Sequence, residues 1–330
     1  MIRAALSLLV AWTLGMFVAS LTASAQQPVR AWKIGVLQVG TAASGQHLFE
    51  ALKQGLRDRG YVEGQQVIFE RRVGENRSDL LAAAAAELVR MKVDLIVTST
   101  DQGIAAVKRQ TQTIPIVMAN SSDPVGTGLV ASLARPGGNI TGNSAMSPDL
   151  AGKRLELLKE VVPGLSRVGI LWNPDVRGAV LDYRETESAA ALLHLQLHSI
   201  EVSRIEDLDS ALAAVTTGRV QALIVPGVSP LLFANRSRVV DFAVKSRLPV
   251  IYGTREFADA GGLMAYGPNA ADQWRRAADY VDKILKGARA AELPVERASR
   301  FELVINLRTA QAIGLPMPPS LLQRADHVIR

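Results

Sequence analysis

The residues of this chain best suited to chemistry are polar side chains that follow short apolar runs, and their types fit holding a small molecule. Ser99, Thr100 and Asp101 stand between a strand-like run and a helix-like stretch. One of them is expected to cap that helix, and the N–H groups and positive dipole end there suit a carboxylate. The loop Asn120-Ser121-Ser122-Asp123-Pro124 offers one carboxylate, Asp123, among neutral acceptors, as an ammonium group requires. Asp123 before Pro124 also fits a capping acid with proline at the first helical position. Trp172 and Tyr252 end apolar runs. Each presents a flat face either to a ligand side chain or to the core. Asn143 and Asn173 add amides that donate and accept, and Gln38 and Ser44 stand in the loop after the first strand.

Patterns for covalent chemistry break at a required residue. Gly137-Gly138-Asn139-Ile140-Thr141-Gly142-Asn143-Ser144 mimics a phosphate loop, but Asn143 replaces the lysine. No G-x-G-x-x-G follows the first strand, and no G-x-S-x-G elbow occurs. His194 and His198 are four apart, yet the pattern there turns into a strand and no carboxylate-plus-His set accompanies them. The expectation is a binding protein with no catalytic residues, no cofactor and no metal.

These loops need a scaffold, and the chain writes one twice. Ile34-Gly35-Val36-Leu37 reappears as Val168-Gly169-Ile170-Leu171, Val93-Asp94-Leu95-Ile96-Val97 as Gln221-Ala222-Leu223-Ile224-Val225, and Ile114-Pro115-Ile116-Val117 as Leu248-Pro249-Val250-Ile251. The order and near-constant spacing predict two similar lobes. Strand-like segments at 33–39, 67–72, 93–98 and 114–118 alternate with helical ones at 46–59, 80–90 and 104–110. A short strand is expected at 140–142. A second series runs through helix 150–161, strand 167–172, helix 189–193, strand 196–202, helix 208–215, strand 222–225, helix 236–245 and strand 250–252. The tail adds strands at 263–265 and 302–305 and an amphipathic helix at 270–285. Such alternation predicts α/β architecture: two doubly wound parallel-sheet lobes joined by a multi-crossover hinge. Crossings are expected near Asn143, Tyr252 and Glu296. That makes one lobe of 32–143 with about 254–295, and another of 144–253 with about 296–330. Ligands of open α/β sheets bind beyond the carboxyl ends of the strands. The rule selects the loops 38–45, 98–102 and 120–123 in one lobe and 172–174, 226–229 and 252–256 in the other.

Composition narrows the setting. Met1-Ile2-Arg3, the uncharged apolar run 4–21 and Ala23-Ser24-Ala25 read as a cleavable export signal covering 1–25. With no cysteine there is no lipoprotein anchor, structural disulfide or thiolate metal site, which fits a bacterial periplasm. The formal net charge of +6 is spread along the chain, and its densest basic sites are the pairs Arg71-Arg72 and Arg275-Arg276. A nucleic-acid groove needs a clustered stripe, so that partner is not expected.

Several stretches carry a family resemblance. They include Gly60-Tyr61-Val62-Glu63-Gly64, Asp123-Pro124-Val125-Gly126, the long run from Leu129-Val130-Ala131 through Arg135-Pro136-Gly137-Gly138-Asn139-Ile140-Thr141-Gly142, and Gly152-Lys153-Arg154-Leu155-Glu156-Leu157-Leu158-Lys159. Leu171-Trp172-Asn173-Pro174, Gly261-Gly262-Leu263-Met264, Tyr266-Gly267-Pro268-Asn269 and Phe301-Glu302-Leu303-Val304-Ile305-Asn306 complete them. Together they resemble bacterial ABC-transporter substrate-binding proteins of the type 1 periplasmic fold, in the tryptophan-binding-like subfamily. The resemblance implies an extracytoplasmic receptor, expected as a monomer, that closes on a small amino-acid-like solute and delivers it to an ABC permease. A periplasmic sensor that signals ligand binding to a membrane partner is the alternative.

Overall fold

The computed structural model describes residues 31–330, so the expected export signal lies outside the described residues. Strands β1 (Trp32–Gln38), β2 (Val67–Val73), β3 (Leu95–Ser99), β4 (Ile116–Ser121), β5 (Ile140–Ser144) and the two-residue β11 (Glu296–Arg297) form one sheet in the order β11-β5-β4-β3-β1-β2. The second sheet contains β6 (Arg167–Trp172), β7 (Gln196–Glu201), β8 (Ala222–Val225), β9 (Val250–Tyr252), β10 (Met264–Pro268), β12 (Phe301–Asn306) and β13 (His327–Ile329), in the order β13-β12-β10-β9-β8-β6-β7. Every pairing is parallel except β10 with β12. The echoed runs become equivalent strands: β1 and β6 both lie next to the outermost strand of their sheet. Central strands such as β3 and β8 are buried almost end to end, as parallel strands covered on both faces must be.

Helices α1 (Gln46–Arg57), α2 (Ser78–Arg90) and α3 (Thr100–Lys108) cover the first sheet. The second carries α4 (Ala151–Val161), α5 (Arg177–Leu192), α6 (Leu208–Thr217), α7 (Pro230–Ala234), α8 (Arg236–Lys245) and α9 (Arg255–Asp259). After β10 comes α10 (Ala270–Leu285), which packs on α1, β4 and β5 of the first lobe. The approach of α10 to α1 is close: a Cβ on Gly55 would lie 2.3 Å from the Arg275 carbonyl oxygen. Only glycine fits there. Trp274, Ala277, Ala278 and Val281 complete a core with Ile34, Leu52, Leu56 and Val97. The short helices α11 (Leu307–Ala312) and α12 (Pro319–Arg324) return to the second lobe.

The chain therefore passes between lobes three times, at about 145–150, 268–270 and 298–300. The second passage corrects the expectation of a crossing near Tyr252 and of a first-lobe segment starting at about 254. Both α9 and β10 stay with the second lobe, because β10 pairs with β9 through Met264 and Ala265. The crossing waits until Asn269, whose Oδ1 caps α10 by accepting the Asp272 N–H at 2.8 Å. A second difference is α5, expected only at 189–193. Its buried stripe is Gly178, Asp182, Thr186 and Ala190, four residues apart and mostly polar or small, so apolar periodicity does not reveal it.

Candidate ligand cleft between the lobes

The carboxyl ends of both sheets meet around a cavity of about 130 Å³, counted as the space open to the centre of a water molecule. From the first lobe it is lined by Gln38, Ser44, Leu48, Asn76, Ser99, Thr100, Asn120 and Trp274, and from the second by Val228, Ser229, Phe233, Thr254 and Glu256. A smaller recess beside it is lined by Thr100, Asn120, Ser122, Ser147, Gly253 and Pro268, so the cleft floor reaches the crossing segments.

Local structure explains each side chain. Ser99 ends β3 and makes no capping bond of its own. Thr100 adopts φ +63, which is costly for a β-branched residue, and its Oγ1 accepts the Gly103 N–H at 3.3 Å. The earlier N–H groups of α3 have no acceptor inside the helix by its geometry. Asn120 Oδ1 is buried and has no hydrogen-bond partner. Gln38 lines the cavity, and both atoms of its amide are already bonded: Nε2 donates to the Gly45 carbonyl at 2.7 Å, and Oε1 accepts from Arg71 Nε at 2.8 Å. Arg71 also donates to Gln46 Oε1 and the Ala42 carbonyl, both at 2.6 Å, and stacks over Phe49. It holds the loop after β1. Ser44 shares hydrogen bonds with Thr41 at 3.1 Å.

Glu256 opens α9 with only 19% of its side chain exposed, and its Oε1 lies 3.8 Å from His47 Nε2 of the other lobe. Burial pushes this carboxyl up, yet the His47 imidazole and its own backbone N–H outweigh that, leaving it below the usual range. Phe233 supplies the largest apolar side chain of the second lobe's wall. It packs edge-on against Phe257 at 6.2 Å and under the Arg236 guanidinium at 5.0 Å.

Five of the eleven residues singled out from the sequence line this cavity: Gln38, Ser44, Ser99, Thr100 and Asn120. Six do other work. Ser121 donates its hydroxyl to Asp101 at 2.5 Å. Asp123 Oδ1 accepts the N–H groups of Val125 and Gly126 at 3.2 and 2.9 Å, the capping alternative. Asn143 donates to the carbonyls of Ala119 and Gln273 at 3.4 and 3.1 Å. Trp172 stacks on Tyr183 at 4.5 Å and donates to Ser199 at 2.8 Å. Asn173 accepts the Asp175 N–H at 2.8 Å and borders a wider groove of about 710 Å³ with Asp101, Arg109 and Arg177. Tyr252 is fully buried against Phe257, and burial pushes its phenol up.

Glu256 and Ser229 belong to loops that the strand-end rule selected, although neither was singled out. Trp274 had no such signal, because it reaches the cleft on a helix that enters after a crossing.

Among the described residues no helix is long and apolar enough to cross a membrane, and no group of three metal-ligating side chains occurs. The family model for "ABC transporter substrate binding protein" matches residues 33–329. The chain belongs to the ABC transporter substrate-binding protein family. A tyrosine-binding protein of Clostridioides difficile strain R20291 is 25% identical over 254 residues, 77% of this chain and 72% of that protein. A conserved domain protein of Vibrio cholerae superposes with a TM-score of 0.85 at 27% identity, covering 91% of this chain and 100% of that one. An ABC domain from Streptococcus pneumonia, solved in complex with L-Trp, gives 0.84 at 28% identity over the same shares. As a substrate-binding protein, this chain has the type 1 periplasmic-binding architecture.

Proposed function

We propose that this substrate-binding protein captures an amino acid with an aromatic or large apolar side chain and delivers it to an ABC permease in the inner membrane. Its residues 1–25 would direct export to the periplasm, where it would act as a monomer. The observation that carries the reading is the charge arrangement of the cavity. Glu256 from the second lobe is its carboxylate and suits an ammonium group. Opposite, the first turn of α3 with Ser99 and Thr100 suits a carboxylate, through free N–H groups and the helix dipole. Asn120 Oδ1 adds an unpaired acceptor. Leu48, Phe233 and Trp274 supply the apolar surface, and the two relatives named for tyrosine and L-Trp agree with it. Contacts from both lobes would make the ligand stabilise the closed form, a population shift.

A thermal-unfolding screen against the twenty L-amino acids tests this. A true ligand at a hundredfold excess over Kd stabilises by about 2.7 kcal/mol. Aromatic amino acids should raise Tm, and Glu256→Gln should remove most of the rise. No shift with any amino acid would sink the reading.

A further inference from the structure

The most deeply buried charges among the described residues do not line the cavity. Arg154 on α4 is 2% exposed and Asp182 on α5 is 0% exposed. Both sit in the second lobe, behind the cleft and beside the first crossing. Ser147, in the turn that carries the chain across, stands between them. Its Oγ donates to Asp182 Oδ2 at 3.1 Å and accepts from Arg154 at 3.5 Å. Arg154 Nε also donates to the Tyr266 carbonyl at 3.0 Å, in β10 just before the second crossing. One guanidinium thus ties two crossing segments together.

The network continues into the first lobe. The Ser147 N–H donates to the Ser122 carbonyl at 3.0 Å, and the Ser122 N–H donates to Asp101 at 3.1 Å, next to Thr100 of the cavity wall. Helix α5 presses on the same group: a Cβ on Gly178 would lie 2.4 Å from Ser122 Oγ and 2.6 Å from Asp101 Oδ2. Asp182 Oδ1 is buried without a partner. A buried charge that is only partly satisfied costs stability, so its position needs a reason other than stability.

We propose that Ser147, Arg154 and Asp182 are positioning residues that set the balance between open and closed lobes, so that ligand affinity depends on side chains outside the main cavity. The groups acting on Asp182 are Arg154 from α4, and Asp101 and Asp123 from the first lobe, and Asp101 is itself pushed up by burial, so it titrates with Asp182 as part of one buried group. Burial pushes the Asp182 carboxyl up to about 6, Arg154 and Ser147 draw it down, and Asp101 and Asp123 add to the rise. Opening would carry Asp101 and Asp123 away and relieve their share. The closed form therefore holds a proton on Asp182 more tightly, and lowering the pH through about 6 favours closure. Each unit of difference in pKa between open and closed forms is worth about tenfold in that balance.

The proposal rests on the substrate-binding reading only for its consequence, because its test needs no ligand. The chain lacks cysteine, so Ala83→Cys on α2 and Leu192→Cys at the end of α5 place one spin label on each lobe. Every variant also carries His47→Gln, to silence the titratable pair across the cleft. Interlobe distances by pulsed electron paramagnetic resonance, on ligand-free protein from pH 8 to pH 5, should show the closed population rising several-fold. Asp182→Asn should flatten that profile, and Asp123→Asn, which leaves the buried trio intact, should shrink it. A flat profile in the parent, or an unchanged one in Asp182→Asn, overturns the proposal. If Asp182→Asn does not fold, Ser147→Ala decides: the distance distribution must shift, and one identical to the parent overturns the proposal. A failed ligand screen with a pH-dependent distance would count against the ligand class alone.

Discussion

Glu256 of the second lobe and His47 of the first lie 3.8 Å apart across the cavity mouth, so a carboxylate facing the ligand space is also a contact between lobes. Losing Glu256 removes both roles. Glu256→Gln should weaken amino-acid binding by at least about thirtyfold, the roughly 2 kcal/mol at the low end for truncating a desolvated charge partner. Isothermal titration calorimetry measures this directly. His47→Ala removes only the interlobe contact of a half-exposed group, so its effect should stay within a few-fold.

The same pair fixes a direction in pH. The Glu256 carboxyl is held below its usual range in the folded protein, so its contribution is present above the unfolded value. That contribution is lost as the pH falls through the folded value. Melting temperature should therefore drop below about pH 4.5, and by less in Glu256→Gln than in the parent.

Asp123 provides the contrast. Its carboxylate caps the turn after β4 and does not line the cavity. Asp123→Ala should cost about 1 kcal/mol of stability, as the loss of a cap does. Ligand affinity should stay within about threefold, by the same calorimetry. A large loss of affinity with intact stability would restore Asp123 as the ammonium partner.

Gly178 separates stability from closure. An added methyl would meet Ser122 and Asp101 of the other lobe, a clash that parting the lobes relieves without unfolding either one. Gly178→Ala should therefore lower the melting temperature only slightly while weakening ligand binding about tenfold or more, the ~1.4 kcal/mol or more of a disfavoured closed form. Both are read on one preparation by unfolding and titration.

Arg71 acts at one remove, through Gln38, Gln46 and the Ala42 carbonyl. Arg71→Ala should free the loop after β1 and lower affinity by about 1.5–3 kcal/mol, in line with losing a hydrogen bond to a charged group. Slower proteolysis of that loop in the parent than in the variant is the independent check.

Strand positions and the loops around the cleft were legible in the sequence because buried parallel strands are short apolar runs and ligands gather at their carboxyl ends. Individual side chains were less so. Trp172 and Tyr252 end their strands as expected, but side-chain direction depends on packing: one stacks on Tyr183 and the other on Phe257. Asp123 and Glu256 both stand in selected loops and both meet backbone N–H groups, and only the packed structure shows that Glu256 lines the cavity while Asp123 does not. The second crossing lies beyond the expected Tyr252 because a strand that stays in its sheet and one that leaves it have the same pattern until pairing is known.

The return of α10 to the first lobe has a consequence for how the molecule is made. The face of α1 around Gly55, with Leu52 and Leu56, stays uncovered until residues 270–285 have been synthesised. A chain emerging from its N-terminus cannot finish its first lobe before most of its second exists. That delay leaves an apolar helix face bare for most of synthesis, and it means that residues 31–144 cut away from the rest would lack one wall of their own core.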